Sequence, residues 1–204
     1  MNYKKIGVFG GSFDPVHYGH VYLAKEAVTA LSLDKLFVIP TKLQPFKLDK
    51  VPASGQDRCN MLELAFSEFK DEIPYEISDL ELKKEGISYT IETLNAIKDR
   101  YPTAEIFFIQ GTDTFIQIKK WKSSEELLKN FSFAIGLRPG YRNEELFDCI
   151  AEIKRDYGTN VVLLNNKQIN ISATDIRLSG SRNFNGKFVS EKVERYIRDN
   201  GLYK

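Results

Sequence analysis

The chain has little of what marks a secreted, membrane or nucleic-acid-binding protein. Its 204 residues include only two cysteines, Cys59 and Cys149, far apart and outside any CxxC pair, which speaks against a disulfide framework or a thiolate metal site. No apolar run is of bilayer-spanning length, and Met1-Asn2-Tyr3-Lys4-Lys5 leads into a short strand without the apolar core of a signal peptide. Reduced thiols, no membrane partner and a cytoplasmic location are the expectation. An excess of one charge is also missing. The 29 Lys and Arg balance 28 Asp and Glu to a net +1, without like-charge blocks, so no nucleic-acid partner is expected. Lys119, Lys120 and Lys122 beside the single tryptophan, Trp121, read as a solvated face. With 42% hydrophobic residues the chain can bury a sizeable core, and its length fits one domain over 1–204. The sequence fixes no oligomeric state and leaves room for a homo-oligomer.

Histidine is equally scarce, and both copies fall within one short stretch, Gly10-Gly11-Ser12-Phe13-Asp14-Pro15-Val16-His17-Tyr18-Gly19-His20. The apolar run Ile6-Gly7-Val8-Phe9 before it reads as a buried strand, and Gly10-Gly11 lets backbone approach a ligand without a Cβ clash. Val21, Leu23, Ala24, Ala27, Val28 and Leu31 then recur at helical spacing. A helix therefore begins at about Tyr18 or Gly19, with unpaired N–H groups and a positive dipole end turned toward the strand end, where an anion belongs. His17 and His20, at i and i+3, lie on one side of that first turn and can both donate to phosphate oxygens. A metal pair is the weaker alternative: His-x-x-His has no third ligand nearby, and Asp14 is better placed to cap the turn or orient a ring nitrogen. No GxxxxGK and no GxGxxG occurs, which sets aside kinases of the P-loop type and dehydrogenases.

Strands and helices alternate along the rest. Strands are expected at 35–40, 75–82, 105–110, 131–137 and 161–164. Helices are expected at about 55–69, 90–100 and 143–155, in a short stretch opened by the capping-box spacing of Ser123-Ser124-Glu125-Glu126, and at 190–200. The polar, proline-bearing segment 41–54 is a loop long enough to be functional. Nearly continuous apolar strands separated by helices predict an α/β fold: one Rossmann-like domain whose parallel sheet is covered by helices on both faces. Such sheets bind ligands beyond the carboxyl ends of their strands. After the last predicted strand, Ile171-Ser172-Ala173-Thr174-Asp175-Ile176-Arg177 repeats the device. Ser172 and Asp175 have capping-box spacing, and Arg177 one turn in presents five donors. Taken alone, this segment is equally an ordinary capped helix.

The first stretch resembles the (H/T)xGH signature of the nucleotidyltransferase superfamily, and the second resembles its SSTxIR signature, with Ala173 in place of a serine. Ser88-Tyr89-Thr90-Ile91-Glu92-Thr93-Leu94, the Gly111-Thr112-Asp113 turn, Trp121 and Arg138-Pro139-Gly140-Tyr141 narrow the resemblance to bacterial-type nicotinic acid mononucleotide adenylyltransferases, over almost the whole chain. That resemblance implies ATP binding by Gly10, Gly11, Ser12, Phe13, His17, His20, Gly111, Asp113, Ile171, Ser172, Thr174 and Arg177. It implies acceptor binding by Lys47, Tyr89, Thr90, Trp121 and Arg138, with Trp121 stacking on the pyridine and Tyr89-Thr90 holding its carboxylate. His17, His20 and Arg177 would carry the catalysis, and Mg²⁺ would arrive on the triphosphate. Thr90 is an equally good helix N-cap, and Trp121 a candidate core residue. One departure stands out: Gln44-Pro45-Phe46-Lys47 has Phe46 where the family usually carries histidine, so Lys47, or Lys42 instead, is the remaining triphosphate contact in that loop. A sibling transferase, an enzyme preferring the nicotinamide form and a non-catalytic nucleotide-binding regulator remain as rivals at this level.

Overall fold

The computed structural model describes residues 3–43, 52–137, 143–167, 169, 171–179 and 188–204. Six parallel strands form one sheet: β1 (Lys5–Gly11), β2 (Lys35–Pro40), β3 (Tyr75–Ile77), β4 (Glu105–Gly111), β5 (Ser132–Gly136) and β6 (Val161–Leu164), in the order β3-β2-β1-β4-β5-β6. The chain leaves β1 toward one edge and returns to β4 toward the other. A crevice therefore opens where β1 and β4 lie side by side, at the point where strand order reverses.

Side chains alternate across the sheet and give it two cores. Phe9, Leu36, Val38, Phe107, Ile109 and Ala134 face one way, toward α1 (Tyr18–Leu31) and α2 (Gly55–Phe66). Ile6, Val8, Phe37, Ile106, Phe108 and Phe133 face the other, toward α3 (Thr90–Arg100), α4 (Thr112–Phe115), α5 (Ser124–Asn130) and α6 (Asn143–Tyr157). Two further helices, α7 (Ala173–Ser179) and α8 (Glu191–Asp199), add Ile176, Val193 and Ile197 to the first core. The covered parallel sheet is the architecture expected from the continuous apolar strands.

Local departures have local causes. The third strand stops at Ile77, well short of residue 82, because its pairing with β2 ends at Val38 and the chain then turns, with the Lys83 N–H bonded to the Asp79 carbonyl at 3.1 Å. The segment after β4, expected as a plain turn and loop, forms α4 and a 3₁₀ turn (Ile118–Lys120) that bury Phe115 and Ile118. The helix expected to run to residue 69 finishes as a 3₁₀ turn over Ser67–Phe69. The capping box expected at Ser123 is not made: Ser123 is left-handed (φ 53°) and gives no side-chain cap, so α5 starts at Ser124.

Candidate active site

The β1–α1 turn is set by packing against small residues. Its left-handed residue is Phe13 (φ 48°) and neither glycine. Gly11 matters for space instead: a Cβ there would lie 3.0 Å from the Phe13 ring. Phe13 itself, expected to contact ATP, is buried beneath the turn, edge-on to Phe9 (5.2 Å between ring centres) and to His20 (5.0 Å). It does not line the cavity and packs against the His20 ring, which does.

His17 is the N-cap of α1, and its ring stacks on that of His20 with centres 3.7 Å apart. Gly19 permits this, since a Cβ there would press on the His17 ring at 3.0 Å. The His17 backbone N–H donates to Nδ1 of His20 at 3.2 Å, which leaves the proton of neutral His20 on Nε2 as a donor. Both imidazoles line a cavity of about 800 Å³ above the carboxyl ends of the strands. Gly10, Gly11, Ser12, Gly111, Asp113 and Ile171 line it as well, and so do Tyr89, Thr90 and Trp121.

Beneath the turn lies a polar network without a local sequence signature. The Oδ1 of Asp14 accepts from the Ala53 N–H (3.0 Å) and from the Tyr203 hydroxyl (2.6 Å). Burial, and then the Asp14 carboxylate, hold that hydroxyl far above the ordinary phenol range. Arg58, buried on α2, donates to the carbonyls of Ser12 (2.9 Å), Thr41 (2.7 Å) and Ala53 (3.1 Å), tying the turn to the end of β2. Arg58 falls in step with the buried Met61, Leu62 and Ala65, so an arginine on the apolar stripe of a helix was the available signal.

The second segment makes the expected cap: the Asp175 N–H donates to Ser172 Oγ at 3.1 Å, and that hydroxyl lies 2.5 Å from the Asp175 carboxylate. Arg177 does not line the cavity. Its Nη1 donates to the Asp14 carbonyl and lies 3.7 Å from the carboxylate, while Nη2 donates to Thr174 Oγ1 at 3.1 Å. Arg177 thus braces the first turn from below. Ser172 and Thr174 are likewise outside the cavity lining, whereas Ile171 reaches it.

At the other end of the cavity, α3 begins at Thr90 with Tyr89 as its N-cap residue. The first main-chain bonds accepted by Tyr89 come from Glu92 (3.0 Å) and Thr93 (3.3 Å), so the N–H groups of Thr90 and Ile91 have no intrahelical acceptor. Trp121 is half-buried and edge-on to Phe108 with centres 6.1 Å apart, so it is wall rather than core. The neighbouring lysines are engaged: Lys122 with Glu92 (2.8 Å) and over the Tyr89 ring, Lys119 with Glu152, and Lys120 with Gln117 (2.7 Å). Glu81 is also buried here, with Oε1 accepting from Thr93 Oγ1 at 2.7 Å, and burial pushes its carboxyl above the ordinary range.

Sequence reasoning missed Gln110, Glu81 and Asn166 in the cavity wall. Asn166 clamps Leu137 by accepting from its N–H (2.9 Å) and donating to its carbonyl (3.3 Å). Lys42 turns away, its Nζ 2.5 Å from the Lys84 carbonyl. Lys47 and Arg138 lie outside the described residues, as do Phe46 and the 139–141 segment. Among the described residues no group of three or more His, Cys, Asp and Glu could hold a metal ion, and no helix is long and apolar enough to cross a membrane.

Residues 8–179 match the cytidylyltransferase-like family model. A protein of Clostridium botulinum (strain Alaska E43 / Type E3), named probable nicotinate-nucleotide adenylyltransferase, is 38% identical over 205 residues, which cover 98% of this chain and 98% of that protein. A protein of the same name from Desulfitobacterium hafniense (strain Y51) is 38% identical over 98% of this chain and 96% of its own length. Among solved structures, Plasmodium falciparum nicotinic acid mononucleotide adenylyltransferase complexed with NaAD shares the fold, with a TM-score of 0.78 at 21% identity over 98% of this chain and 97% of that one.

Proposed function

Because the chain belongs to the nicotinate-nucleotide adenylyltransferases of the cytidylyltransferase-like family, we propose that it transfers AMP from ATP to nicotinic acid mononucleotide, releasing pyrophosphate and nicotinic acid adenine dinucleotide. The observation that carries this reading is the pairing, in one cavity, of two stacked imidazoles at the start of α1 with an indole wall and the open N-terminus of α3. The first pair suits phosphates and the second suits an aromatic ring bearing a carboxylate.

The acceptor's phosphate monoester is already a nucleophile at neutral pH. One of its oxygens attacks the α-phosphorus in line with departing pyrophosphate, without a covalent intermediate. The protein's contribution is then orientation and charge stabilisation. His20, with its proton on Nε2, donates to the oxygens on which charge accumulates, His17 shares that task, and Arg177 keeps the turn in place through Asp14. Donors at the phosphate end are imidazoles and backbone N–H groups, which suit phosphate oxygens and not a hard cation. Mg²⁺ accordingly belongs to the substrate, entering on the triphosphate with its own water.

The α3 N–H groups donate to a carboxylate in charge-assisted bonds worth about 1.5–3 kcal/mol, whereas the NH₂ of a carboxamide brings donor against donor. Nicotinic acid mononucleotide should therefore exceed the nicotinamide form by at least about tenfold in kcat/KM. The test is pyrophosphate release with ATP and, in turn, nicotinic acid mononucleotide, nicotinamide mononucleotide, phosphopantetheine and, with CTP, glycerol phosphate. Turnover confined to either of the last two acceptors overturns the reading, and equal use of the two pyridine nucleotides removes the carboxylate site.

A further inference from the structure

Gln110 is 4% exposed, lines the cavity, and has no hydrogen-bond partner for either Oε1 or Nε2 among the described residues. A primary amide offers two donors and an acceptor with two lone pairs, and buried groups of this kind are almost always paired. For the empty protein, leucine or isoleucine would be the cheaper residue here, since the rest of the inward face of β4 is Ile106 and Phe108. An amide kept in place of that apolar choice points to a partner that is not part of the chain.

The alternation of β4 says which partner. Gln110 follows Phe108 on the face that Phe108 shares with Trp121, opposite the face covered by α1. The imidazoles of α1 approach the cavity from the other side, so the Gln110 amide belongs to the end walled by indole and the start of α3. We propose that Gln110 is a specificity-determining residue of the acceptor site, its Nε2 donating to the carboxylate on the pyridine ring. This rests on the adenylyltransferase reading above. The amide complements the α3 N–H groups: they favour negative charge, and Gln110 adds a donor from the sheet that fixes the orientation of the carboxylate plane.

The test compares Gln110→Leu and Gln110→Glu with the unmodified protein. Leucine removes unpaired polar atoms from the empty protein, so the thermal midpoint should stay level or rise. The Kd of nicotinic acid mononucleotide by calorimetry, and its KM, should rise about tenfold, the scale of one lost hydrogen bond to a charged group, while the KM of ATP holds. Glutamate sets a carboxylate against the ring's carboxylate, yet can accept from a carboxamide. The acid-to-amide ratio of kcat/KM should fall in Gln110→Glu by tenfold or more. An unchanged acceptor Kd in Gln110→Leu overturns the proposal, and so does a lowered thermal midpoint accompanied by equal losses for acceptor and ATP, which is the signature of a structural role. If the unmodified protein does not use pyridine mononucleotides at all, the functional reading fails and this inference with it. If it does and Gln110→Leu binds normally, only this inference fails.

Discussion

The floor under the histidine turn and the wall around the start of α3 are built on opposite terms. Under the turn, buried polar groups satisfy one another: Arg58 caps three carbonyls, and Asp14 takes Tyr203 and the Ala53 N–H. In the wall, among the described residues, Gln110 has both amide atoms and Glu81 one carboxylate oxygen without a partner. The first arrangement holds a backbone in one shape before any ligand arrives, which is what charge stabilisation of a short-lived state needs. The second leaves polar capacity unspent until a ligand supplies the complement. The two regions rest on different parts of the chain, the floor on α2 and the β1–α1 turn and the wall on β4 and the segment after β3, and each should fail in its own way.

The largest effect should come from breaking the floor. Arg58→Met strips donors from three carbonyls and a counter-charge from Asp14, and should cost about 3–5 kcal/mol of folding free energy, the scale of removing one partner from a buried charged network. Denaturant titration checks it; a loss below about 1 kcal/mol would mean that water replaces the guanidinium and the floor is not rigid. Next, His20→Ala should lower kcat by roughly 10² or more with little change in stability, as for one oxyanion donor. Steady-state kinetics with melting curves separate the two readouts, and turnover within a few-fold of the unmodified protein would take the imidazole out of the phosphate site.

At the wall the effects should be smaller and confined to the acceptor. Trp121→Ala removes a stacking face worth about 1 kcal/mol, so binding of acid and amide mononucleotides should weaken by similar factors of about five. Selective loss of one would show that the indole reads the ring substituent. The smallest effect is pH-dependent. Burial raises the Glu81 carboxyl above its unfolded value, so the native state holds a proton that the unfolded state has lost, and stability declines as pH rises through the folded pKa. Glu81→Gln retains an acceptor for Thr93 and cannot ionise. Its stability relative to the unmodified protein should be near zero at about pH 4, close to the unfolded carboxyl value, and should grow as pH rises. A difference that is flat with pH would mean that Glu81 stays ionised in the folded protein.

Much of the frame was legible because its signals are local. Val8-Phe9, Phe37-Val38-Ile39 and Phe107-Phe108-Ile109 are continuous apolar runs, and a strand buried on both faces has no other way to look. The His17-His20 spacing and the Ser172-Asp175 cap are also local and were found where expected. What was not legible depends on partners far along the chain. Arg58 looks like one more helix arginine until the Ser12 and Thr41 carbonyls, 46 and 17 residues away, close over it. The sequence places Arg177 one turn into a capped helix and says nothing of Asp14, 163 residues distant, to whose carbonyl it donates. Gln110 reads as the polar end of a strand, because no pattern in the sequence tells a paired amide from an unpaired one.

The bond from Tyr203 to Asp14 closes over 189 residues of sequence. On a ribosome, which releases the chain from its amino end, the Asp14 carboxylate emerges 189 residues before the tyrosine that donates to it. The sheet can form its central ladder from β1, β2 and β4 well before that. The support beneath the turn is therefore complete only once the tyrosine has arrived. A chain cut short by stalling or proteolysis just before that residue would carry all six strands of the sheet while lacking this hydrogen bond beneath the histidine turn.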